Sequence, residues 1–331
     1  MKRTGRMLAV FLCASALIMT APAYSLDVQG HRGARGLMPE NTLPAFARAL
    51  AIGVTTLELD CAITRDGVVV VSHDSILNPD ITRGPDGEWL AQDGPPIRVL
   101  TYDELQRYDV GRIKPGSAYA SRFPGQQAVD GARIPRLADV FALARKAGND
   151  AVRFNIETKL SPLHPQRTAP PDIFARELIA LIIKEKMEKR ATVQSFDWRT
   201  LAVVQREAPE ISTVYLTAQQ SFTDNILAGQ AESPWMPGTH VSRFGGSIPR
   251  LIKAAGGAVW SPSYTEVSAE SVKEAQSLGL KVVVWTVNDE ADMRRMMEWK
   301  VDGMNSDYPD LLRKVAGGRG VALPAATPVT P

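Results

Sequence analysis

The pattern of apolar and polar positions divides the chain into short strands and longer helices. Short runs rich in Val, Ile and Thr alternate with segments whose apolar residues recur every three or four positions, which is typical of a parallel sheet covered by helices. The runs predict eight strands, at roughly residues 27–31, 56–62, 152–157, 192–196, 213–216, 257–261, 281–286 and 303–305. The helical spacing predicts helices at roughly residues 42–51, 137–146, 174–186, 199–207, 248–255, 269–277 and 289–299. This count predicts a closed (β/α)8 TIM barrel over residues 24–318.

Four segments depart from the alternation. Residues 68–72 follow an Asp-Gly turn signal and predict a hairpin with the second strand. Residues 75–134 are rich in Pro, Gly and aromatic side chains, which predicts a small, ordered insertion at the barrel mouth. A second, smaller insertion is predicted over residues 218–246. Residues 319–331 are rich in Ala, Pro and Thr and predict a disordered tail.

Residues 1–23 have the layout of a secretory signal peptide. Cationic residues precede an apolar run over residues 7–19, and the small residues Ala21 and Ala23 follow it. The run is shorter than the roughly 20 residues of a membrane-spanning helix, so removal of the segment is favoured over a retained anchor. The sequence therefore predicts an exported protein, periplasmic or secreted, without a stable membrane span.

Net charge and cysteine count differ for the chain without its predicted leader, residues 1–23. The formal net charge is +2, and loss of the leader, with its three cations and no acid, changes it to −1. A nearly neutral chain lacks the concentrated positive field that nucleic-acid binding requires, so no nucleic-acid partner is expected. Cys61 is the single cysteine beyond the leader, so no intramolecular disulfide is predicted.

Three carboxylates at predicted strand ends indicate a metal site. Glu58 and Asp60 are two residues apart on one strand and so share a face, and Glu157 ends the next barrel strand. Unpaired carboxylates in an apolar interior are strongly unfavourable and require a cation. Oxygen ligands favour Mg²⁺ or Ca²⁺ over Zn²⁺ without choosing between the first two. Pairing with Arg32 or Lys159 is the structural alternative.

Two histidines also stand at predicted strand ends. His31 ends the first strand and His73 ends the hairpin, at the end of a barrel where catalytic groups collect. Imidazoles with pKa values near neutrality can act as base and acid in phosphodiester cleavage. Arg32 and Lys159 are candidates for binding phosphate oxygens, and Trp285 is a candidate for packing against the carbon skeleton of a substrate.

Motifs at these positions resemble those of the glycerophosphodiester phosphodiesterase family. The amino-terminal motifs are His31-Arg32-Gly33-Ala34-Arg35-Gly36, Pro39-Glu40-Asn41-Thr42, Ala45-Phe46, Gly53, Glu58-Leu59-Asp60, Thr64-Arg65-Asp66-Gly67 and Val70-Val71-Ser72-His73-Asp74. The later motifs are Asn155-Ile156-Glu157-Thr158-Lys159, Gln194-Ser195-Phe196, Val284-Trp285-Thr286-Val287-Asn288 and Asp302-Gly303-Met304-Asn305-Ser306-Asp307-Tyr308-Pro309. The resemblance covers nearly all of the chain beyond the leader.

The resemblance implies a barrel enzyme that hydrolyses glycerophosphodiesters to glycerol 3-phosphate and an alcohol. It implies that the three carboxylates hold one divalent cation, that the two histidines are acid and base, and that Arg32, Lys159 and Trp285 contact the substrate. It also implies that a glycerol hydroxyl attacks phosphorus and that water then opens the cyclic phosphate.

Two other functions stay open from the sequence. A phospholipase-like barrel enzyme acting on lysophospholipids or on polymeric glycerophosphate would use the same site, and a wide apolar groove in the insertion would favour it. A non-catalytic protein that binds glycerophosphodiesters would lack a catalytic residue, whereas every expected position is filled in this sequence.

Overall fold

Eight parallel strands close into a barrel in the computed structural model, which describes residues 24–331. The strands are β1 (Asp27–Gly30), β2 (Thr56–Ile63), β3 (Arg153–Thr158), β4 (Ala191–Ser195), β5 (Ser212–Thr217), β6 (Val259–Pro262), β7 (Lys281–Val284) and β8 (Gly303–Ser306). Neighbours in sequence pair with one another, and β1 pairs with both β2 and β8, so the sheet is closed. The predicted TIM barrel is confirmed, and each strand lies within two residues of its predicted bounds.

A helix follows each barrel strand and covers the outside of the sheet. The helices are α1 (Leu43–Ile52), α2 (Leu137–Lys146), α3 (Pro171–Lys184), α4 (Trp198–Glu207), α5 (Ile248–Ala254), α6 (Ala269–Ser277), α7 (Glu290–Glu298) and α8 (Pro309–Gly317). The last of these was absent from the predicted set. Its start is marked by Pro309 at the first helical position, where a missing N–H does no harm.

Apolar side chains between the sheet and the helices fix the strands that carry the chemistry. Every residue of β2 is buried. Phe141 of α2 meets Phe154 of β3 edge to face, with ring centroids 4.8 Å apart, and burial of one such side chain stabilises the fold by about 1.5–3 kcal/mol. The carboxylate-bearing strands therefore stand on a rigid base.

The segment between β2 and α2 is ordered and has a small core of its own. Residues Val69–Val71 pair antiparallel with the end of β2, and short helices cover Tyr102–Leu105 and Ala118–Arg122. A separate apolar cluster holds the segment together: Ala62, Val70, Leu77, Ile97, Leu105, Val110 and Ile134. The hairpin returns His73 to the barrel mouth, where the segment contributes Tyr119 and Arg122 to the cavity wall.

A shorter insertion follows β5. Its two-residue strands Gln219–Gln220 and Thr223–Asp224 form a hairpin, and Phe222 at the tip is 72% exposed. Phe222 lines the same cavity as His73, so this hairpin forms part of the rim of the mouth.

The tail is packed against the barrel rather than disordered, which corrects the expectation for residues 319–331. Val321 is buried, and Leu323 and Val329 pack against the main core. The N–H of Thr327 donates to the Leu50 carbonyl at 2.9 Å. The Ala, Pro and Thr content concealed these apolar residues, whose spacing fits neither a helix nor a strand.

The predicted signal peptide, residues 1–23, lies outside the described residues and stays a prediction. Among residues 24–331, no helix is both long and apolar enough to cross a membrane.

Deletion of residues 321–331 should lower the free energy of unfolding by about 2–4 kcal/mol, because it exposes apolar surface and removes hydrogen bonds. Activity should be unchanged, since the tail contacts the ends of α1 and α2 that face away from the barrel mouth. Urea unfolding and an activity assay measure the two effects. Deletion of Pro331 alone is the control, and equal stability of the two truncated proteins would contradict the packing.

Candidate active site

Three carboxylates meet at the carboxyl ends of β2 and β3. Asp60 of β2 lies opposite Glu157 of β3 in the sheet register, and Glu58 points to the same face of β2. One oxygen of each residue lies within 4.8 Å of an oxygen of the other two, and all three residues are buried. The predicted clustering is therefore present in the fold.

Neutral donors hold the two carboxylates of β2 in place. Glu58 accepts from the Arg32 N–H at 2.9 Å through Oε2 and from Gln194 Nε2 at 2.7 Å through Oε1. Asp60 accepts from Asn41 Nδ2 at 2.9 Å. These bonds fix the carboxylates but add no positive charge.

Two cations lie beside the cluster. Lys159 Nζ is 2.9 Å from Glu157 and 3.8 Å from Asp60. Arg32 binds Glu40 at 2.6 Å, and its Nε, which lacks a hydrogen-bond partner among the described residues, is 3.5 Å from Asp60. Pairing with Arg32 and Lys159, the structural alternative from the sequence, is thus present together with the cluster. The cluster and Glu40 together have four carboxyl groups, whereas Arg32 and Lys159 supply two positive charges. The cations therefore balance only part of the negative charge that the carboxyl groups can carry.

Burial and neighbouring charges shift the pKa values of the three carboxyl groups. Burial and the nearby Asp60 charge raise the pKa of Glu58 to about 8. Burial also raises the pKa of Glu157 to about 7, although Lys159 opposes the shift. Burial acts in the same direction on Asp60, but His73, Arg32 and Lys159 outweigh it and hold the Asp60 pKa low. A divalent cation would relieve this repulsion, so the three residues fit a metal site.

A tight turn after β1 places His31 and Arg32 at the mouth. Arg32 and Gly33 both have left-handed backbones, with φ of 50° and 84°. A Cβ atom on Gly33 would stand 2.7 Å from the Ala45 main-chain carbon, so only glycine fits there. The Gly33 N–H also donates to the Glu58 carbonyl at 3.2 Å, which ties the turn to β2.

His31 is held by a buried carboxylate at the end of β8. Its Nδ1 lies 2.6 Å from Asp307 Oδ1. Arg35 donates to both oxygens of Asp307, at 2.7 and 2.9 Å, and Asn288 donates to Oδ2 at 2.7 Å. Burial alone would raise the Asp307 pKa, but Arg35 and His31 outweigh burial and lower it. Asp307 is therefore an ionised acceptor.

The protonation state of His31 follows from this partner. Because Asp307 can only accept, Nδ1 carries the proton and Nε2 has a free lone pair. Nε2 lies 3.9 Å from Glu58 Oε2. Burial lowers the His31 pKa to about 4 despite the nearby Asp307 charge, so the ring is neutral at pH 7 and can accept a proton.

His73 follows the hairpin strand Val69–Val71 and lies near Asp60. Its Nδ1 lies 2.8 Å from Asp74 Oδ1, and Asn78 donates to the other oxygen of Asp74 at 2.7 Å. The His73 side chain is 30% exposed, against 10% for His31. Burial, Arg32 and Lys159 lower the pKa of His73.

These groups open into one cavity of about 780 Å³ with two chemically different walls. The charged lining residues come from β8, β1, β2, β3 and the first insertion. The wall formed by β4 to β7 and their loops is uncharged. We call it the aromatic wall because, beside polar side chains such as Gln220 and Thr286, it carries a leucine and five aromatic residues: Phe196, Leu216, Phe222, Trp235, Tyr264 and Trp285. Trp285 contacts Phe196 edge to face with ring centroids 5.5 Å apart.

Comparison with known proteins assigns the chain to a family. The sequence profile of the Glycerophosphoryl diester phosphodiesterase family matches residues 31–311. The chain belongs to this family. Membership confirms the resemblance of the motifs and makes the chain an enzyme of the phosphodiesterase class.

Similar phosphodiesterases span almost the same length. A glycerophosphodiester phosphodiesterase of Bacillus subtilis (strain 168) is 28% identical over 336 residues, which cover 96% of this chain and 99% of the relative. One from Caldanaerobacter subterraneus subsp. tengcongensis is 30% identical over 286 residues, with 86% and 95% covered. A crystal structure from Silicibacter pomeroyi DSS-3, assigned to the glycerophosphoryl diester phosphodiesterases, superposes with a TM-score of 0.80 at 35% identity and covers 91% of this chain and 96% of its own.

The candidate residues named from the sequence lie at one end of the phosphodiesterase barrel. Seven line the cavity: His31, Arg32, Glu58, His73, Glu157, Lys159 and Trp285. Asp60 lies beside this wall, near Arg32 and Lys159. The structure brings these residues together, and their catalytic roles stay predictions.

Several residues of the site were missed in the sequence reasoning. Asp307, Arg35, Asn41, Glu40 and Gln194 were quoted only as members of motifs, yet each bonds directly to a candidate residue or its partner. The position of Asp307 just after the last barrel strand was the one available signal, because strand ends share the barrel mouth.

Metal affinity should increase between pH 6 and pH 9, because protons compete with the cation for Glu58 and Glu157, whose pKa values are raised to about 8 and about 7. Calorimetric titration with Mg²⁺ or Ca²⁺, in buffers of different ionisation enthalpy, measures the affinity and the released protons. Glu58→Gln should weaken binding by about tenfold or more, whereas Glu104→Gln on the surface should not. Binding that is independent of pH would contradict the prediction.

The same raised pKa values fix the sign of the pH dependence of stability without metal. Both glutamates have an ordinary pKa of 4.5, so folding favours their protonated forms. Their contribution to stability is complete below about pH 4.5 and is lost as the pH rises towards 8. Thermal unfolding in EDTA should show this loss, and added metal should reverse it most strongly at the alkaline end.

Proposed function

We propose that this enzyme hydrolyses glycerophosphodiesters to glycerol 3-phosphate and an alcohol in the cavity described above. The observation that carries the proposal is the meeting of two histidines and a three-carboxylate cluster at one end of the barrel. Phosphodiester cleavage needs a base, an acid, and cations beside the phosphate oxygens, and this site has candidates for each.

We propose Mg²⁺ or Ca²⁺ as the cation, held by Glu58, Asp60 and Glu157. All three ligand groups are carboxylates, which suit hard cations. When bound, the cation would offset the excess negative charge and polarise the phosphate ester.

His31 is the proposed base for the attacking hydroxyl. Asp307 holds its Nδ1 at 2.6 Å, which leaves Nε2 free to take the proton of a glycerol hydroxyl. The oxygen of that hydroxyl attacks phosphorus, giving the cyclic phosphate that the family resemblance implies. Asp307 also offsets the positive charge that forms on the ring, as a buried carboxylate does for other catalytic histidines.

His73 is the proposed acid for the leaving alcohol. It must be charged to donate from Nε2, because Nδ1–H is bonded to Asp74. Arg32 and Lys159 disfavour that charge, but an anionic phosphate beside the ring would oppose them. The two histidines then exchange roles when water opens the cyclic phosphate.

The remaining candidates bind rather than react. Arg32 and Lys159 line the cavity beside the carboxylates, where their charges can hold the nonbridging phosphate oxygens. Trp285, with its Nε1 bonded to the Ser261 carbonyl at 2.9 Å, offers a fixed ring to the carbon skeleton.

Glycerol 3-phosphate release from glycerophosphocholine tests the proposal. The protein should be inactive in EDTA and active when Mg²⁺ or Ca²⁺ is restored. His31→Ala should lower kcat by about 10²–10⁴ and remain folded, while His164→Ala, in an exposed loop, should match the unchanged protein. A folded His31→Ala protein of near-full activity would reject the base assignment.

A second candidate substrate class is favoured by the aromatic wall. An apolar groove in the first insertion is the feature that, from the sequence, would favour a lysophospholipid substrate. The apolar surface lies instead on the β4 to β7 side, where Phe222 is 72% exposed at the rim. An alkyl chain resting there would cover this exposed ring.

Comparison of lysophosphatidylcholine with glycerophosphocholine separates the two substrate classes. If the alkyl chain of the substrate rests on the hairpin tip, Phe222→Ser should lower kcat/KM for lysophosphatidylcholine by about tenfold, because the lost contact is apolar. The value for glycerophosphocholine should not change. Equal effects on both substrates would reject the aromatic wall as a chain-binding surface.

We also propose that the protein is exported, with cleavage after Ala23. The support is the sequence pattern of residues 1–23 alone. Amino-terminal sequencing of protein recovered outside the cytoplasm tests this proposal, and an intact leader would reject it.

A further inference from the structure

A chain of three buried amide side chains runs through the barrel interior to Glu58. Gln29 of β1, Asn155 of β3 and Gln194 of β4 are each no more than 3% exposed. Asn155 Nδ2 donates to Gln29 Oε1 at 3.1 Å and to Gln194 Oε1 at 2.9 Å. Gln194 Nε2 then donates to Glu58 Oε1 at 2.7 Å.

Carboxylates at both ends fix the direction of every amide in this chain. Gln29 Nε2 donates to Asp27 Oδ2 at 2.9 Å, just as Gln194 Nε2 donates to Glu58. Because Asp27 Oδ2 and Glu58 Oε1 accept these two bonds, each glutamine turns its NH₂ group outward and its carbonyl oxygen towards Asn155. The residue between them must therefore supply two donors.

Asn155 meets this requirement with the two hydrogens of one NH₂ group. Its own oxygen accepts from the Thr192 hydroxyl at 2.8 Å, so its amide cannot rotate without losing that bond. Asn155 does not line the cavity, whereas Gln194 does. The Asn155 side chain is linked to the site by its hydrogen bond to Gln194.

We propose that Asn155 is a positioning residue for the cation site. By donating to Gln194 it keeps the Gln194 NH₂ group on Glu58, whose other oxygen accepts from the Arg32 N–H. A rotated Gln194 would turn its carbonyl oxygen towards the carboxylate and push Glu58 away from Asp60 and Glu157. This inference rests on the proposed cation site but not on any step of the reaction.

Metal affinity measured without substrate tests the inference. Asn155→Leu keeps the approximate size of the side chain and removes both donors. It should raise the Kd for Mg²⁺ or Ca²⁺ by about 10–100-fold, the usual effect of losing a partner behind a ligand. Gln29→Leu is the matched control on the far side of Asn155. Like Asn155→Leu, Gln29→Leu should lower the thermal midpoint of unfolding. It should leave Kd within about twofold, because Asn155 still donates to Gln194.

A double substitution shows whether Asn155 acts through Gln194. Asn155→Leu/Gln194→Leu should have the same Kd as Gln194→Leu, because the second change removes the path of the first. Losses that add in the double variant, or equal losses in Asn155→Leu and Gln29→Leu, would overturn the inference. Asn155→Ala replaces Asn155→Leu in both comparisons if the leucine variant does not fold.

The controls separate this inference from the proposed function. If the unchanged protein binds neither Mg²⁺ nor Ca²⁺, the proposed cation site is wrong and the inference fails with it. If the unchanged protein and Asn155→Leu bind metal equally well, the cation site stands and the positioning role of Asn155 is rejected.

Discussion

Repulsion among buried carboxylates is the constraint on which the rest of this site depends. Ligand oxygens of Glu58, Asp60 and Glu157 lie within 4.8 Å of one another, and burial together with the nearby Asp60 charge raises the pKa values of the two glutamates. Lys159 and Arg32 offset only part of this repulsion. The hydrogen-bond donors around Glu58 and Asp60 are neutral, so they fix the geometry of the cluster and leave a negative charge that a divalent ion would offset.

The two ends of the barrel differ in what they hold: the carboxylates lie at one end and the packed tail at the other. The strands carrying the carboxylates are held from outside by α2 and from inside by hydrogen-bonded amides, whereas the tail packs at the opposite end. The left-handed backbone at Arg32 and Gly33 lies at the mouth next to His31, so backbone strain is located where the histidine is placed. Stability and chemistry are thus assigned to different parts of one sheet.

Local patterns in the sequence were enough to predict the barrel and the clustering of the three carboxylates, because both depend on periodicity. Two-residue spacing aligns Glu58 with Asp60, and register places Glu157 beside them. The partners of these residues depend on distant contacts: Asp307 is 276 positions from His31, and Gln194 is 136 from Glu58. The prediction of a disordered tail was wrong for a related reason, since Val321 and Val329 pack on a surface that only the folded barrel provides.

The two walls of the cavity have different freedom to change. A substitution on the charged wall alters ion pairs shared by several residues: Arg32 alone touches Glu40, Asp60 and, through its N–H, Glu58. Phe222, on the aromatic wall, lies at the tip of a hairpin of two-residue strands and is largely exposed. A change there leaves the charge balance of the site intact. A substitution on the aromatic wall can therefore change the apolar surface of the cavity without disturbing the ion pairs of the charged wall.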